Sequence, residues 1–362
     1  MHDPTRTPRS AAVRGRGAAS NPAGRFERYD VELDADARTD LQPETILLRD
    51  ATRSVLSRNS SPDVGANVTF NPYRGCEHGC SYCFARPTHE FLGLSAGLDF
   101  ETRILVKRDA ALMLREAFAS PSWTPETVLM SGVTDAYQPI ERKLGITRAA
   151  LEVFAEFRNP ITIITKNHLV TRDLDLLIEL ARYDACVVVL SITSLDHRLQ
   201  RELEPRASTP ERRLDAVRAL SEAGVPVGVN LAPVIPGLTD TEIAAILGAA
   251  SDAGASFAGY QTLRLPFGVK EVFEEWLRER FPDRADRVLN RVRSLHAGRL
   301  YDGRFGIRSR GRGPYADQIA QLFKVARMRS GLDGPAPALS AAAFHAPSPE
   351  HSRAKGGQLD LF

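Results

Sequence analysis

The runs Ile161-Thr162-Ile163-Ile164-Thr165 and Cys186-Val187-Val188-Val189-Leu190-Ser191-Ile192 are apolar almost throughout and rich in β-branched residues. Strands of that kind lie buried on both faces, as in a parallel sheet covered by helices. Between them Leu174, Leu177, Ile178 and Ala181 repeat at the spacing of one helical face, so the unit reads strand, helix, strand. The same alternation extends outward in both directions. Asn67 to Asn71, Val128 to Ser131, Pro226 to Leu231 and Ser256 to Leu263 read as further strands. Ile146, Ala149, Ala150, Val153, Phe154 and Phe157 form an apolar helical stripe. Thr209-Pro210-Glu211 supplies a cap and an N1 proline, and Thr239 with Glu242 has the pattern of a capping box ahead of Ile243.

Six strands alternating with helices predict an α/β fold, either an open doubly wound sheet or a complete or partial (β/α) barrel. The strand count favours a partial parallel (β/α) barrel. In either architecture ligands bind at the carboxyl ends of the strands. The loops after Asn71, Ser131, Thr165, Ile192 and Leu231 are therefore expected to surround one site.

Around this core, residues 61 to 281, the composition changes twice. Residues 1 to 60 are rich in Arg, Asp, Pro and Ser without sustained periodicity and read as an irregular N-terminal arm, part of which could pack on the core. Residues 282 to 330 read as a basic helical extension. From Arg284 to Ser330 there are 12 Lys or Arg and 3 Asp, a local charge of +9, with Tyr301, Phe305, Tyr315 and Phe323 interleaved. Residues 331 to 362 read as a flexible tail, rich in Ala, Pro, Ser and Gly up to about 357.

The whole chain has 362 residues, 47 basic and 45 acidic, with 43% hydrophobic, which excludes a wholly disordered or disulfide-framed protein. No apolar run approaches the roughly 20 residues of a membrane span, and no apolar stretch follows the N-terminal arginines, so a cytoplasmic location is expected.

Cys76, Cys80 and Cys83 fall within eight residues, and in a chain without an export signal such crowding points to metal ligation. A structural zinc would need His78, His89 or Cys186 as its fourth ligand. Three thiolates can instead hold three irons of a [4Fe-4S] cluster and leave the fourth iron open. Gly75 and Gly79 would let the backbone wrap such a compact group. Cys186, within an apolar run, is expected to be buried and inert.

The spacing Cys76-x3-Cys80-x2-Cys83, with Tyr82 before the last cysteine, resembles the signature of the radical S-adenosylmethionine (radical SAM) enzymes. The stretch Asn71-Pro72-Tyr73-Arg74-Gly75-Cys76-Glu77-His78-Gly79-Cys80-Ser81-Tyr82-Cys83-Phe84-Ala85-Arg86 is similar to the branch grouped with spore photoproduct lyase, with likeness from about residue 67 to 325. The resemblance implies a partial (β/α) barrel and a [4Fe-4S] cluster on Cys76, Cys80 and Cys83. It also implies S-adenosylmethionine, cleaved to methionine and a 5′-deoxyadenosyl radical, and an electron donor such as ferredoxin or flavodoxin.

Further positions carry over from that resemblance. Thr134 and Asp135 would receive the methionine ammonium, or else cap a helix. Lys166 would approach the methionine carboxylate, Ser191 and Thr193 the ribose hydroxyls, and Asn230 the adenine. Tyr82 would shield the adenine side of the cluster. Glu204-Pro205-Arg206 reads as an ion pair leading into the next helix or as a cofactor contact. Where spore photoproduct lyase has a hydrogen-returning cysteine beside its second-strand motif, this chain has Gly132 and Val133. Thymine-dimer repair by that route is therefore not expected. Tyr137 is a candidate radical relay, with a packed tyrosine as its alternative.

The expected function is a radical SAM enzyme acting on nucleic acid, in DNA repair or base modification. The alternatives are radical chemistry on a small molecule or protein, and a clamp-associated binding module with structural zinc. DNA or RNA would be held by the 284–330 segment through phosphate neutralisation and base stacking. The terminal Gln358-Leu359-Asp360-Leu361-Phe362 resembles the peptide by which bacterial polymerases and repair proteins dock on the sliding clamp.

Overall fold

A computed structural model describes residues 13, 15–26 and 44–346. Its strands, in chain order, are β1 (Ile46–Arg49), β2 (Leu56–Arg58), β3 (Val68–Phe70), β4 (Tyr73–Arg74) and β5 (Arg103–Val106), then β6 (Val128–Met130), β7 (Ile161–Thr165), β8 (Cys186–Ser191), β9 (Val227–Val234) and β10 (Phe257–Thr262). A seven-stranded sheet has the order β10-β9-β8-β7-β6-β3-β2. Its pairs from β3 to β10 are parallel, and β2 closes one edge antiparallel to β3. The six strands expected from the sequence are those six parallel ones. Because β2 and β10 are its two ends, the sheet is a partial, not a closed, (β/α) barrel.

The reason these runs pair is visible in their burial. The side chains of Val128, Ile161, Ile163, Cys186, Val188 and Val229 are sealed in one apolar core, with Cys186 among them. The helix Ile146–Phe157 buries Ala150, Leu151, Val153, Phe154 and Phe157 against it. Its Phe154 meets Phe70 of β3 edge-on, with ring centroids 6.0 Å apart.

Several expectations are corrected. The first 60 residues are not irregular throughout, because they contain β1 and β2, and β1 runs parallel to β5 in a separate three-stranded sheet. These strands are short and largely exposed, so they leave no burial pattern to read. Residues 331–346 of the expected flexible tail pack on the core. Phe344 lies 6.4 Å from the Phe118 ring and 6.1 Å from Phe157, and the amide of His345 donates to the Phe157 carbonyl at 3.1 Å. One aromatic side chain outweighs the composition around it. Residues 347–362, including the clamp-like peptide, lie outside the described residues. The capping box is also not formed. Thr239 Oγ1 accepts from the Ile235 amide, and the Glu242 carboxylate accepts from the Ser194 hydroxyl and Leu195 amide, tying this helix to the loop after β8. Thr209 does cap its helix.

Candidate active site

The loop between β4 and the short helix Leu98–Thr102 carries Cys76, Cys80 and Cys83 at the carboxyl end of the sheet. Its tight course uses Gly75 (φ +82°) and Gly79 (φ +66°), a left-handed region that favours glycine. A Cβ on Gly75 would lie 2.8 Å from the His89 ring and from the Phe100 carbonyl. The loop is anchored at several backbone points. The Cys76 amide donates to Phe100 (2.9 Å), the Ser81 amide to Leu203 (3.1 Å), and the Arg206 amide to His78 (3.2 Å). Buried Arg86 donates through Nε and Nη2 to the Cys80 carbonyl, at 3.1 and 2.8 Å.

The three thiols line one cavity, whose empty space with the open solvent at its mouth is about 940 Å³. The strand ends supply the rest of its wall. After β6, Ser131 adopts φ +81°, and Asn71 Oδ1 accepts from the amides of Gly132 (2.8 Å) and Val133 (3.0 Å). Thr134 donates to the Gly75 carbonyl at 2.6 Å, joining this turn to the cysteine loop. Asp135 links three elements. It accepts from the Thr165 hydroxyl (2.7 Å), the Lys166 amide (2.8 Å) and the Tyr137 amide (2.9 Å), and it faces His78 Nδ1 at 3.4 Å. Burial works to raise its carboxyl, but His78, the Lys166 amide and Thr165 overcome that and hold the pKa at about 2.

Lys166 Nζ donates to the Ala232 carbonyl at 3.2 Å and lies 5.9 Å from the centre of the Tyr82 ring. The Tyr82 hydroxyl is held by Glu204, and Glu204 pairs with Arg213 beneath the site. Burial works to raise Glu204 as well, and Arg213, Lys166 and Tyr82 hold its pKa at about 2. The ion pair from Glu204 therefore runs to Arg213 and not to Arg206, which pairs with Glu77 at 3.2 Å.

Among the residues singled out from sequence, Cys76, Cys80, Cys83, Tyr82, Thr134, Asp135, Lys166, Ser191 and Asn230 all line this one cavity. Thr193 and Tyr137 do not. Thr193 Oγ1 donates to Glu204 at 2.7 Å behind Tyr82, so it supports the wall without forming it. Tyr137 lies fully buried in the main core and donates to Asp173 at 3.1 Å. Burial and then Asp173 push its phenol up, which fits the packed alternative to the radical relay. Sequence reasoning missed Gln261, Thr262 and Arg264 in the lining, named His78 only as a possible zinc ligand, and gave Ser131 only as the end of a strand leading into the site. Gln261 and Thr262 were legible in principle as polar residues closing an apolar strand. Arg264 reaches the cavity from beyond β10 and lies 4.4 Å over the ring of exposed Phe84.

The donor set suits a polynuclear cluster. Burial raises all three thiols, and Cys76 is raised further by Asp135, Cys80 and Cys83. Such thiols ionise together only against a compensating cation. Among the described residues no group of three or more His, Cys, Asp or Glu is gathered as ligands of a single ion.

Sheet order, cysteine spacing and the cavity at the strand ends define a radical SAM core. Residues 70–250 match the radical SAM superfamily, and the chain belongs to it. It is accordingly a radical SAM enzyme, of a family that uses a [4Fe-4S] cluster and S-adenosylmethionine. An uncharacterized Mycobacterium tuberculosis protein is 36% identical over 243 residues, covering 66% of this chain and 70% of that one. An uncharacterized Methanocaldococcus jannaschii protein is 28% identical over 228 residues, covering 63% and 82%. Among solved structures, spore photoproduct lyase complexed with dinucleoside spore photoproduct matches with a TM-score of 0.59 at 18% identity, over 84% of each chain. A mutant of that lyase with bound S-adenosylmethionine and the same dinucleoside gives 0.58 at 18%, again over 84% of each. These matches share the fold. No described helix is long and apolar enough to cross a membrane.

Proposed function

We propose that this enzyme acts on nucleic acid, repairing or modifying a base. The observation that carries the reading is the cavity itself. Its lining brings the three cysteines together with Phe84, which is partly open to solvent, and the Arg264 guanidinium over that ring, an aromatic face and a cation beside the thiols. A structure of the same fold holds a dinucleoside. The extension from Arg284 to Ser330 adds cationic side chains, of which Arg284, Arg287, Arg310 and Arg312 are exposed. Arg308 and Asp63 lie within electrostatic reach of Arg264, which brings one part of this extension near the cavity.

Cys76, Cys80 and Cys83 would hold the cluster. Bound there, it would supply the electron for reductive cleavage of S-adenosylmethionine. The protein's own part is positional. Asp135 fixes the relative placement of the loops after β6 and β7, and Lys166, Ser191 and Asn230 offer polar groups along the wall. Among the described residues no fourth cysteine lines the cavity, and Cys186 is sealed in the core. The hydrogen-return step of this reaction therefore differs from that of a lyase that uses a cavity thiol.

Part of the basic segment's charge and aromatic surface is answered within the protein. Arg308 pairs with Asp63, Arg304 with Asp302, and Phe323 packs 4.5 Å from Tyr260 inside the core, so among the interleaved aromatics Phe305 is the exposed one. The terminal Gln358 to Phe362 peptide supports a setting at the replication clamp.

The test incubates anaerobically reconstituted, reduced protein with S-adenosylmethionine and a panel of damaged and modified oligonucleotides. Nucleic-acid-dependent 5′-deoxyadenosine and an altered base are expected. Deoxyadenosine that forms at one rate whatever oligonucleotide is present, with no altered base, overturns the substrate assignment and leaves the cofactor chemistry standing. Iron and sulfide in that preparation are expected in place of zinc.

A further inference from the structure

Residues 16–18 precede the region matched by the superfamily, yet they touch the cysteine loop. Gly17 passes so close to the loop that a Cβ on it would lie 1.8 Å from the Gly79 carbonyl oxygen and 2.9 Å from the Ser81 amide. Its amide donates to Glu101 Oε2 at 3.0 Å, and that of Ala18 donates to Oε1 at 2.9 Å. Arg16 Nη1 donates to the Glu101 carbonyl at 2.9 Å. Ala18 is only 2% exposed.

Glu101 is fully buried and pairs with Arg86, also fully buried. Arg86 in turn holds the Cys80 carbonyl with two donors and the carbonyls of Ala96 and Gly97 with Nη1, at 3.1 and 2.9 Å. The chain of contacts thus runs from the amides of residues 17 and 18, through a carboxylate and a guanidinium, to the backbone of a cysteine. The strap continues outward. The Leu98 amide donates to Ser20, Ser95 donates to Pro22, and Arg25 pairs with Glu90 and lies 3.7 Å over Phe267.

We propose that the segment Arg16–Ala18 is a positioning element of the cofactor site. It completes the hydrogen bonding of the buried Glu101–Arg86 pair and so fixes the loop that presents Cys80. This rests on the three cysteines being cluster ligands. The physical ground is that a buried carboxylate needs its acceptor sites filled, and the strap fills both oxygens with amides that no side-chain substitution elsewhere could replace. The side-chain-free Gly17 is what permits the approach. Outer groups that orient metal ligands change metal retention when removed, typically about 10–100-fold.

The test uses the full-length chain and four variants. Ala18→Pro removes one amide donor, and Ala18→Gly keeps it. Gly17→Val forces the strap off Gly79. Gly65→Ala is the control, at a glycine where an added methyl would meet nothing within 4 Å. All are reconstituted anaerobically and read by iron and sulfide content, by the rate of iron loss to a chelator, and by the electron paramagnetic resonance spectrum with and without S-adenosylmethionine. Far-ultraviolet circular dichroism of the apo forms checks folding.

Ala18→Pro and Gly17→Val are expected to lose iron about tenfold faster and to show a broadened cluster signal. Ala18→Gly and Gly65→Ala should match the parent. Equal iron loss and one spectrum across Ala18→Pro, Ala18→Gly and the parent overturn the proposal. A Gly17→Val chain that does not fold leaves the decision with the Ala18 pair. A parent that takes up no iron refutes the cluster reading instead, which separates the two failures.

Discussion

In the cysteine loop the buried charged groups Glu77, Arg86, Glu90 and Glu101 are each answered by another protein group, whereas in the extension from Arg284 to Ser330 many cationic side chains end in solvent. Around the three thiols Arg86 pairs with Glu101, Glu204 pairs with Arg213, and Asp135 accepts from Thr165 and the Lys166 amide. Arg284, Arg287 and Arg312 are exposed. The first region is preorganised around one geometry, so damage there is close to all or none. The second works through summed charge, so damage there is graded and depends on salt.

Five measurements test that contrast. Cys80→Ala should have the largest effect, with cluster content falling to background in an iron and sulfide assay and deoxyadenosine production abolished. Glu204→Ala leaves Arg213 buried without its partner and should cost the apo protein about 3–5 kcal/mol in urea unfolding.

Acid should weaken the same network. Asp135 and Glu204 carry pKa values of about 2 in the fold, against about 4 when unfolded. Their stabilisation is therefore complete above the unfolded values and is lost as pH falls through about 2, roughly 2 kcal/mol for each group. Melting temperatures of the apo protein between neutral and strongly acidic pH would show it, and a flat profile would remove these carboxylates from the network.

In the extension, replacing Arg284, Arg287 and Arg312 together by Ala should reduce the salt dependence of oligonucleotide binding by about 0.7–0.9 in log–log slope per arginine. An unchanged slope would show that the extension does not touch phosphate. The smallest effect is expected from Tyr137→Phe, about 1 kcal/mol of stability from the lost bond to Asp173, with deoxyadenosine yield unaltered. A fall in yield at full stability would restore Tyr137 as a relay.

The parallel core was readable because Ile161–Thr165 and Cys186–Ser191 are buried on both faces and so carry unbroken apolar runs. β1 was not readable, because its four residues are exposed and it is held by backbone pairing to β5. At the site, spacing revealed the cysteines, and the family resemblance pointed to Asp135, Lys166 and Ser191. His78 was legible only as a possible zinc ligand, since its contacts are with Asp135 and Asn167, which lie far from it in the chain. Tyr137 shows the converse. Its neighbours in sequence line the cavity, but its own side chain points into the core. The arginines from Arg304 to Arg312 looked uniform as letters. Only the fold separates Arg308, engaged by Asp63, from Arg312, which is exposed.

The strap at Gly17 has a consequence for the order of events during biosynthesis. The ribosome releases residues 16–18 long before Arg86 and Glu101 exist, so the earliest-made segment must wait for its seat. Contacts of such sequence separation form late in folding. A cluster assembled before residues 16–18 dock would therefore form on a loop whose Glu101 carboxylate still lacks two of its amide donors, and one assembled afterwards on a loop already fixed.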